Sequence, residues 1–137
     1  MRLLDANIFL RFLTRDDETK AQACSRLLHR LERGQEEAST CEAVLAEVVY
    51  VLESKAHYGL AHHEISARLR PLLALRGFKL PNKRTYLRAL DLYESHAFLD
   101  FEDAILAAQA ERGLAEAIVS YDTDFDRVPG IVRLEPS

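Results

Sequence analysis

Met1-Arg2-Leu3-Leu4-Asp5-Ala6-Asn7 opens the chain as a short buried strand that runs straight into an acid and an amide. A carboxylate at the carboxyl end of a strand stands where open α/β sheets build their sites. Ile8, Phe9, Leu10, Phe12 and Leu13 continue as a helix, which leaves Asp5 and Asn7 in the turn between strand and helix. Taken alone, Asp5 is also explained as a helix N-cap, since aspartate favours that place for local hydrogen-bonding reasons. The rest of the chain decides between the two readings.

Working outward, Asp16 to Arg33 reads as a second helix with Ala21, Cys24, Leu27, Leu28 and Leu31 near helical spacing, ended by Gly34. Glu37 to Thr40 reads as a second strand, with Thr40 as the N-cap of a long helix from Cys41 to His57. In that helix Cys41, Val44, Val48, Val51, Leu52 and Lys55 are expected to share a face, with Glu42 and Glu53 opposite. Glu47 falls on the flank of the stripe, where a carboxylate needs a cation or an arginine beside it. Leu60 to Gly77 is a further amphipathic helix kinked or interrupted at Pro71, Phe78-Lys79-Leu80 a third strand, and Lys83 to His96 a helix.

Two later stretches repeat the pattern of the first. In Phe98-Leu99-Asp100-Phe101-Glu102-Asp103-Ala104, Asp100 is placed to cap a helix and Asp103 follows three residues later, where a carboxylate also suits the dipole. Ala104, Ala107, Ala108 and Ala110 let that helix pack closely on a sheet. Glu116 to Ser120 is a strand running into Tyr121-Asp122-Thr123-Asp124, so Asp122 lies just beyond a strand end, while Asp124 reads as a turn or cap residue. Ile131 to Leu134 closes the chain as a last strand. Alternating strands and helices imply a mostly parallel sheet covered on both faces, an α/β fold.

At 137 residues, 48% of them hydrophobic, the chain suits one core and one domain. Cys24 and Cys41 lack ligand spacing, and His57, His62 and His63 have no partner at zinc spacing, so a reduced cytoplasmic protein is expected. Asp5 and Arg11 break the apolar N-terminus before a signal peptide or membrane span is complete. The net charge of −4 opposes bulk electrostatic binding of nucleic acid. It is compatible with an acidic metal site flanked by local basic surface, for which Arg11, Arg15, Lys20, Arg26, Arg30, Arg33, Lys83, Arg84 and Arg88 are the candidates.

Leu4-Asp5-Ala6-Asn7, Glu47 within Ala-Glu-Val-Val-Tyr-Val-Leu, Asp103 within Phe-Glu-Asp-Ala-Ile-Leu-Ala-Ala, and Ser120-Tyr-Asp122-Thr-Asp-Phe occur in an order and over a length that resemble the PIN-domain ribonucleases. The similarity is greatest to the VapC-type toxins of toxin-antitoxin pairs. The resemblance implies a three-layer α/β domain over residues 1–137, with a five-stranded, mostly parallel sheet. It implies an acidic cluster of Asp5, Glu47, Asp103 and Asp122 supported by Asn7 and Ser120, the latter where the family often has threonine. Asp100 and Asp124 are the alternatives to Asp103 and Asp122. It further implies a metal-dependent endoribonuclease leaving 5′-phosphate and 3′-hydroxyl ends, a homodimer, and a cognate VapB-type antitoxin lying in a groove between the first helices and the helix of Glu47. Oxygen ligands without Cys or His suit Mg²⁺ or Mn²⁺. Crowded carboxylates raise one another's pKa values, so an ionised cluster calls for a cation.

Two rivals come from other classes. A receiver-like signalling domain also sets acids around Mg²⁺, but it needs a lysine near the last strands, and no lysine follows Lys83. A non-catalytic PIN-like domain that binds nucleic acid or protein would have an incomplete cluster, whereas all four acids are present.

Overall fold

The opening residues form a strand shorter and more exposed than expected. In the computed structural model, which describes residues 1–137, β1 is Arg2–Leu3 and both residues are exposed. The pleat turns Leu4 inward instead. The chain divides into two compact units, Met1–Lys83 and Arg84–Ser137.

In the first unit, β1 pairs in parallel with β2 (Ala38–Ser39), with Arg2 opposite Ala38 and Leu3 opposite Ser39. The amide of Leu4 donates to the Ser39 carbonyl at 2.8 Å. Phe78 adds a parallel bridge on the other side of Ala38, whose amide donates to Gly77 at 2.9 Å. A parallel strand needs a long crossover, and helices supply it. These are α1 (Ala6–Thr14), α2 (Glu18–Glu32), α3 (Glu42–Glu53) and α4 (His62–Leu73).

Local chemistry sets their ends. Arg15 closes α1 in the left-handed region at φ 54°, and the Asp17 carboxylate accepts from the Lys20 amide to start α2. Ala21, Cys24, Leu28 and Leu31 then return to one buried face, and Phe9 meets the Phe78 ring edge-on at 5.9 Å. The Glu64 carboxylate accepts from the Ala61 amide at the start of α4. Pro71 stands in the last turn of α4 and the helix runs through it to Leu73, so the expected interruption reduces to a helix that ends two residues later.

Gly77 is where the backbone comes closest to its neighbours. A Cβ there would collide with the Glu36 carbonyl oxygen and stand 2.7 Å from that of Leu31. Gly77→Ala is therefore expected to destabilise the first unit by about 3 kcal/mol, because backbone atoms cannot give way as a side chain can. The midpoint of urea unfolding measures it, and an unchanged midpoint would contradict this packing.

The second unit holds α5 (Lys83–Ser95, its first residue closing the first unit), α6 (Phe101–Glu111), β3 (Ile118–Val119), a 3₁₀ turn (Thr123–Arg127) and β4 (Arg133–Leu134). Asp100 caps α6 as expected, accepting from the Asp103 amide at 2.8 Å. Ala104, Ala107 and Ala108 are completely buried, as their size predicts. Tyr93 packs edge-on against Phe101 at 6.0 Å, and Arg88 forks onto Glu111 to clip α5 to α6. β3 and β4 pair in parallel, Ile118 opposite Arg133 and Val119 opposite Leu134.

The fold is thus α/β, with six helices and two short parallel strand pairs in place of a drawn five-stranded ladder. The regular runs are two residues long because turns interrupt them at once: Asp5 starts α1 two residues after β1, Cys41 starts α3 two residues after β2, and Asp122 starts the 3₁₀ turn three residues after β3. No helix is long and apolar enough to cross a membrane.

Candidate functional site

Asp5 occupies the N-cap position of α1, yet its side chain makes no capping hydrogen bond. The local explanation of this aspartate therefore does not account for its carboxylate. Asp5 is exposed and lines a pocket of about 260 Å³ with Leu3, Leu4, Thr40, Cys41 and Val44, at the carboxyl ends of β1 and β2. Thr40 does not cap α3, as its sequence position suggests. Its hydroxyl donates to the Leu4 carbonyl at 2.7 Å, and Cys41 takes the N-cap position. That bond ties the strand end carrying Asp5 to β2. Sequence reading missed this role because a threonine before an apolar helix looks like a cap.

Asn7 is exposed and lines a second pocket, of about 290 Å³, with Ile8, Arg11, Lys20, Ala23 and Cys24. Arg11 pairs with Asp16 at 3.0 Å and Lys20 reaches Asp17 at 4.0 Å, so both cations already have carboxylate neighbours. Arg15, Arg30 and Arg88 are likewise paired, with Glu18, Glu36 and Glu111.

Glu47 lies on the open side of α3. The helix buries Leu45, Val48, Val49 and Leu52, a stripe rotated from the one expected, while Val44 and Val51 are half-buried and Cys41 is exposed. At 100° per residue, position 47 falls on the far side of that stripe. Glu47 is exposed, not pinned on its flank, and a buried counter-charge is not required to explain it.

In the second unit Asp100, Asp103 and Asp122 act on one another. The Asp103 carboxyl is pushed up to about 6 from its ordinary 3.8, first by burial and then by the charges of Asp100 and Asp122, with a hydrogen bond to Asp100 and the charge of Glu102 adding to the effect. Every one of these influences favours the proton, burial by disfavouring the charged form and the neighbouring carboxylates by repulsion. Asp100 and Asp122 both have local work, since Asp122 accepts from the Asp124 amide at 2.9 Å. The cap of the 3₁₀ turn is therefore Asp122, and Asp124 lies inside that turn. Ser120 holds Asp122 from the other side, its Oγ accepting from the Asp122 amide at 2.9 Å.

No group of three or more His, Cys, Asp or Glu side chains stands in a geometry ready to hold a metal ion. The caps give a physical reason: Asp100 and Asp122 each turn an oxygen toward a backbone amide, and ionised carboxylates repel. The donor chemistry nevertheless fits a hard divalent cation. All the acids offer oxygen, Asp5 has an uncommitted carboxylate, and Asp103 carries the unrelieved repulsion that a cation would remove.

The family model described as PIN domain matches residues 2–131. No curated protein matches the chain.

Proposed function

The chain belongs to the PIN-domain family, whose members are generally nucleases, and on that footing we propose that it is a metal-dependent endoribonuclease that hydrolyses RNA phosphodiester bonds. The observation that carries the metal dependence is Asp103, pushed up to about 6 beside Asp100 and Asp122. Asp5, which caps nothing with its side chain, supports the same reading.

Asp5 and Asp103 would hold the principal Mg²⁺ or Mn²⁺, Glu47 would hold it or orient the attacking water, and Asp122 would help hold a second ion or the waters of the first. When bound, the ion supplies Lewis acidity toward the phosphodiester and toward water. Asn7, which lies in the first turn of α1 and not before the helix as expected, would support Asp5, and Ser120 fixes the backbone that presents Asp122. No side-chain nucleophile is required, so water attacks phosphorus and the 3′ oxygen leaves, giving 5′-phosphate and 3′-hydroxyl ends. Purified protein with single-stranded RNA and Mg²⁺ or Mn²⁺ is expected to yield those ends and to yield nothing with a chelator. Products with a 2′,3′-cyclic phosphate, which need the RNA's own 2′-hydroxyl, would contradict the mechanism.

The proposal extends to a cytoplasmic toxin neutralised by a cognate VapB-type antitoxin. Its support is a groove of about 480 Å³ that runs over α1, α2 and α4 and not against the helix of Glu47 as expected, where Phe12, Leu13, Leu28, Leu72 and Leu75 meet Arg68 and Glu32. A groove of this kind suits an amphipathic helix. A homodimer is part of the same reading, supported by the exposed apolar side chains Val119, Val132 and Leu134. The five-stranded sheet and the single domain over residues 1–137 also belong to it, supported by a family match that spans both units.

A further inference from the structure

Arg133 lies on β4, eleven residues beyond Asp122, and its side chain is only 13% exposed. It ties down two ends of one loop. Its Nη1 donates to the Ser120 carbonyl at 3.0 Å, while Nε and Nη2 fork onto the Asp126 carboxylate at 3.0 and 3.1 Å. Between those anchors run the two hydrogen bonds that shape the turn: the Asp122 amide to Ser120 Oγ, and the Asp124 amide to Asp122 Oδ1, each 2.9 Å. A single planar guanidinium therefore closes a ring from Ser120 through Asp122 to Asp126. Only arginine has donors enough, at fixed angles, to bind a carbonyl and a carboxylate edge together.

We propose that Arg133 is a positioning residue for Asp122, fixing the Ser120–Asp126 loop so that the Asp122 carboxylate keeps one oxygen on its own turn and leaves Oδ2 for a divalent cation. The inference rests on the nuclease reading for its consequence in catalysis, but the ring of hydrogen bonds can be tested without it. Residues that orient metal ligands are worth about 10- to 100-fold in affinity or activity when removed.

Arg133→Lys keeps the charge and loses the fork; Arg133→Gln loses both; Asp126→Asn keeps the shape of the partner and loses its charge. Amide hydrogen exchange at Asp122 and Asp124 is expected to quicken by about tenfold in Arg133→Lys, whether or not metal or RNA is present. Unchanged exchange there would overturn the proposal. Mn²⁺ affinity, read by titration without RNA, is expected to fall about tenfold in Arg133→Lys and further in Arg133→Gln, with Asp126→Asn between wild type and Arg133→Gln. In cleavage, kcat should fall while KM for RNA stays unchanged. A rise in KM with unchanged kcat would make Arg133 an RNA contact and refute the positioning role. If Arg133→Gln does not fold, Arg133→Lys and Asp126→Asn decide. If the wild type takes up no Mn²⁺, the nuclease reading fails, and hydrogen exchange still decides the role of Arg133.

Discussion

Asp103→Asn is expected to make the metal-free protein more stable at pH 7.5 while removing its activity. The sign follows from the direction of the shift. A carboxyl whose native pKa lies at about 6, above its ordinary 3.8, binds its proton more tightly in the folded state. Between those values the native protein holds more protons than the unfolded chain, so stability falls as pH rises through the window. Below pH 4 wild type and variant should unfold alike. Above pH 6 the ionised wild-type group costs the fold what the amide does not. Asp103 is only half-buried, and with solvent screening the difference is about 1 kcal/mol. Urea unfolding at pH 4 and pH 7.5 measures it. Mg²⁺ should raise the melting temperature of the wild type and leave that of Asp103→Asn unmoved, because only the former gains by binding. A variant less stable than wild type at pH 7.5 would contradict this account of the site's electrostatics.

Asp5→Asn should do the reverse, silencing activity without touching stability. The Asp5 side chain is exposed and makes no capping bond, so no folded-state interaction is lost. A change in unfolding free energy within about 0.5 kcal/mol is expected, as for an ordinary surface position. The loss in cleavage should be far larger. A ligand to the catalytic cation that contributes about 3–4 kcal/mol to transition-state charge stabilisation is worth roughly 10²–10³ in rate. An Asp5→Asn protein that folds normally and still cleaves at the wild-type rate would remove Asp5 from the site. The contrast between the two variants is informative in itself: Asp103 is strained in the metal-free fold, whereas Asp5 is merely unused by it.

The parts of this molecule that announce themselves in sequence are those governed by local rules. Asp100 caps α6, Gly34 follows α2, and Ala104, Ala107 and Ala108 of α6 are buried, with Ala110 half-buried, each for a reason carried within a few residues. Where two local rules compete, the sequence misleads. Thr40 and Cys41 both precede α3, and the hydroxyl goes to the Leu4 carbonyl because strand pairing brings that acceptor near. Asp122 and Asp124 could both start the 3₁₀ turn, and Asp122 does so because Ser120 already holds its amide. α3 stops at Glu53, short of His57, because Leu60 folds back to bond the Leu52 carbonyl. The rotated apolar face of α3, and with it the exposure of Glu47, depends on packing partners that no window of sequence contains. Arg133 gave no signal at all, since an arginine in a terminal strand looks like a solvated surface residue until the Ser120–Asp126 loop is seen around it. The strands are too short for a period of two to be read: four of the five expected strands form, as two pairs, and Phe78-Lys79-Leu80 reduces to a single bridge at Phe78.

The most direct measurement is cleavage of an end-labelled, mixed-sequence RNA pool by the purified protein, with Mg²⁺, with Mn²⁺ and with chelator, beside Asp5→Asn prepared identically. Discrete cuts that require the metal and disappear in the variant are the predicted result. Cleavage that persists in chelator, or that Asp5→Asn carries out as well as the wild type, would contradict a metal-dependent nuclease built on these acids.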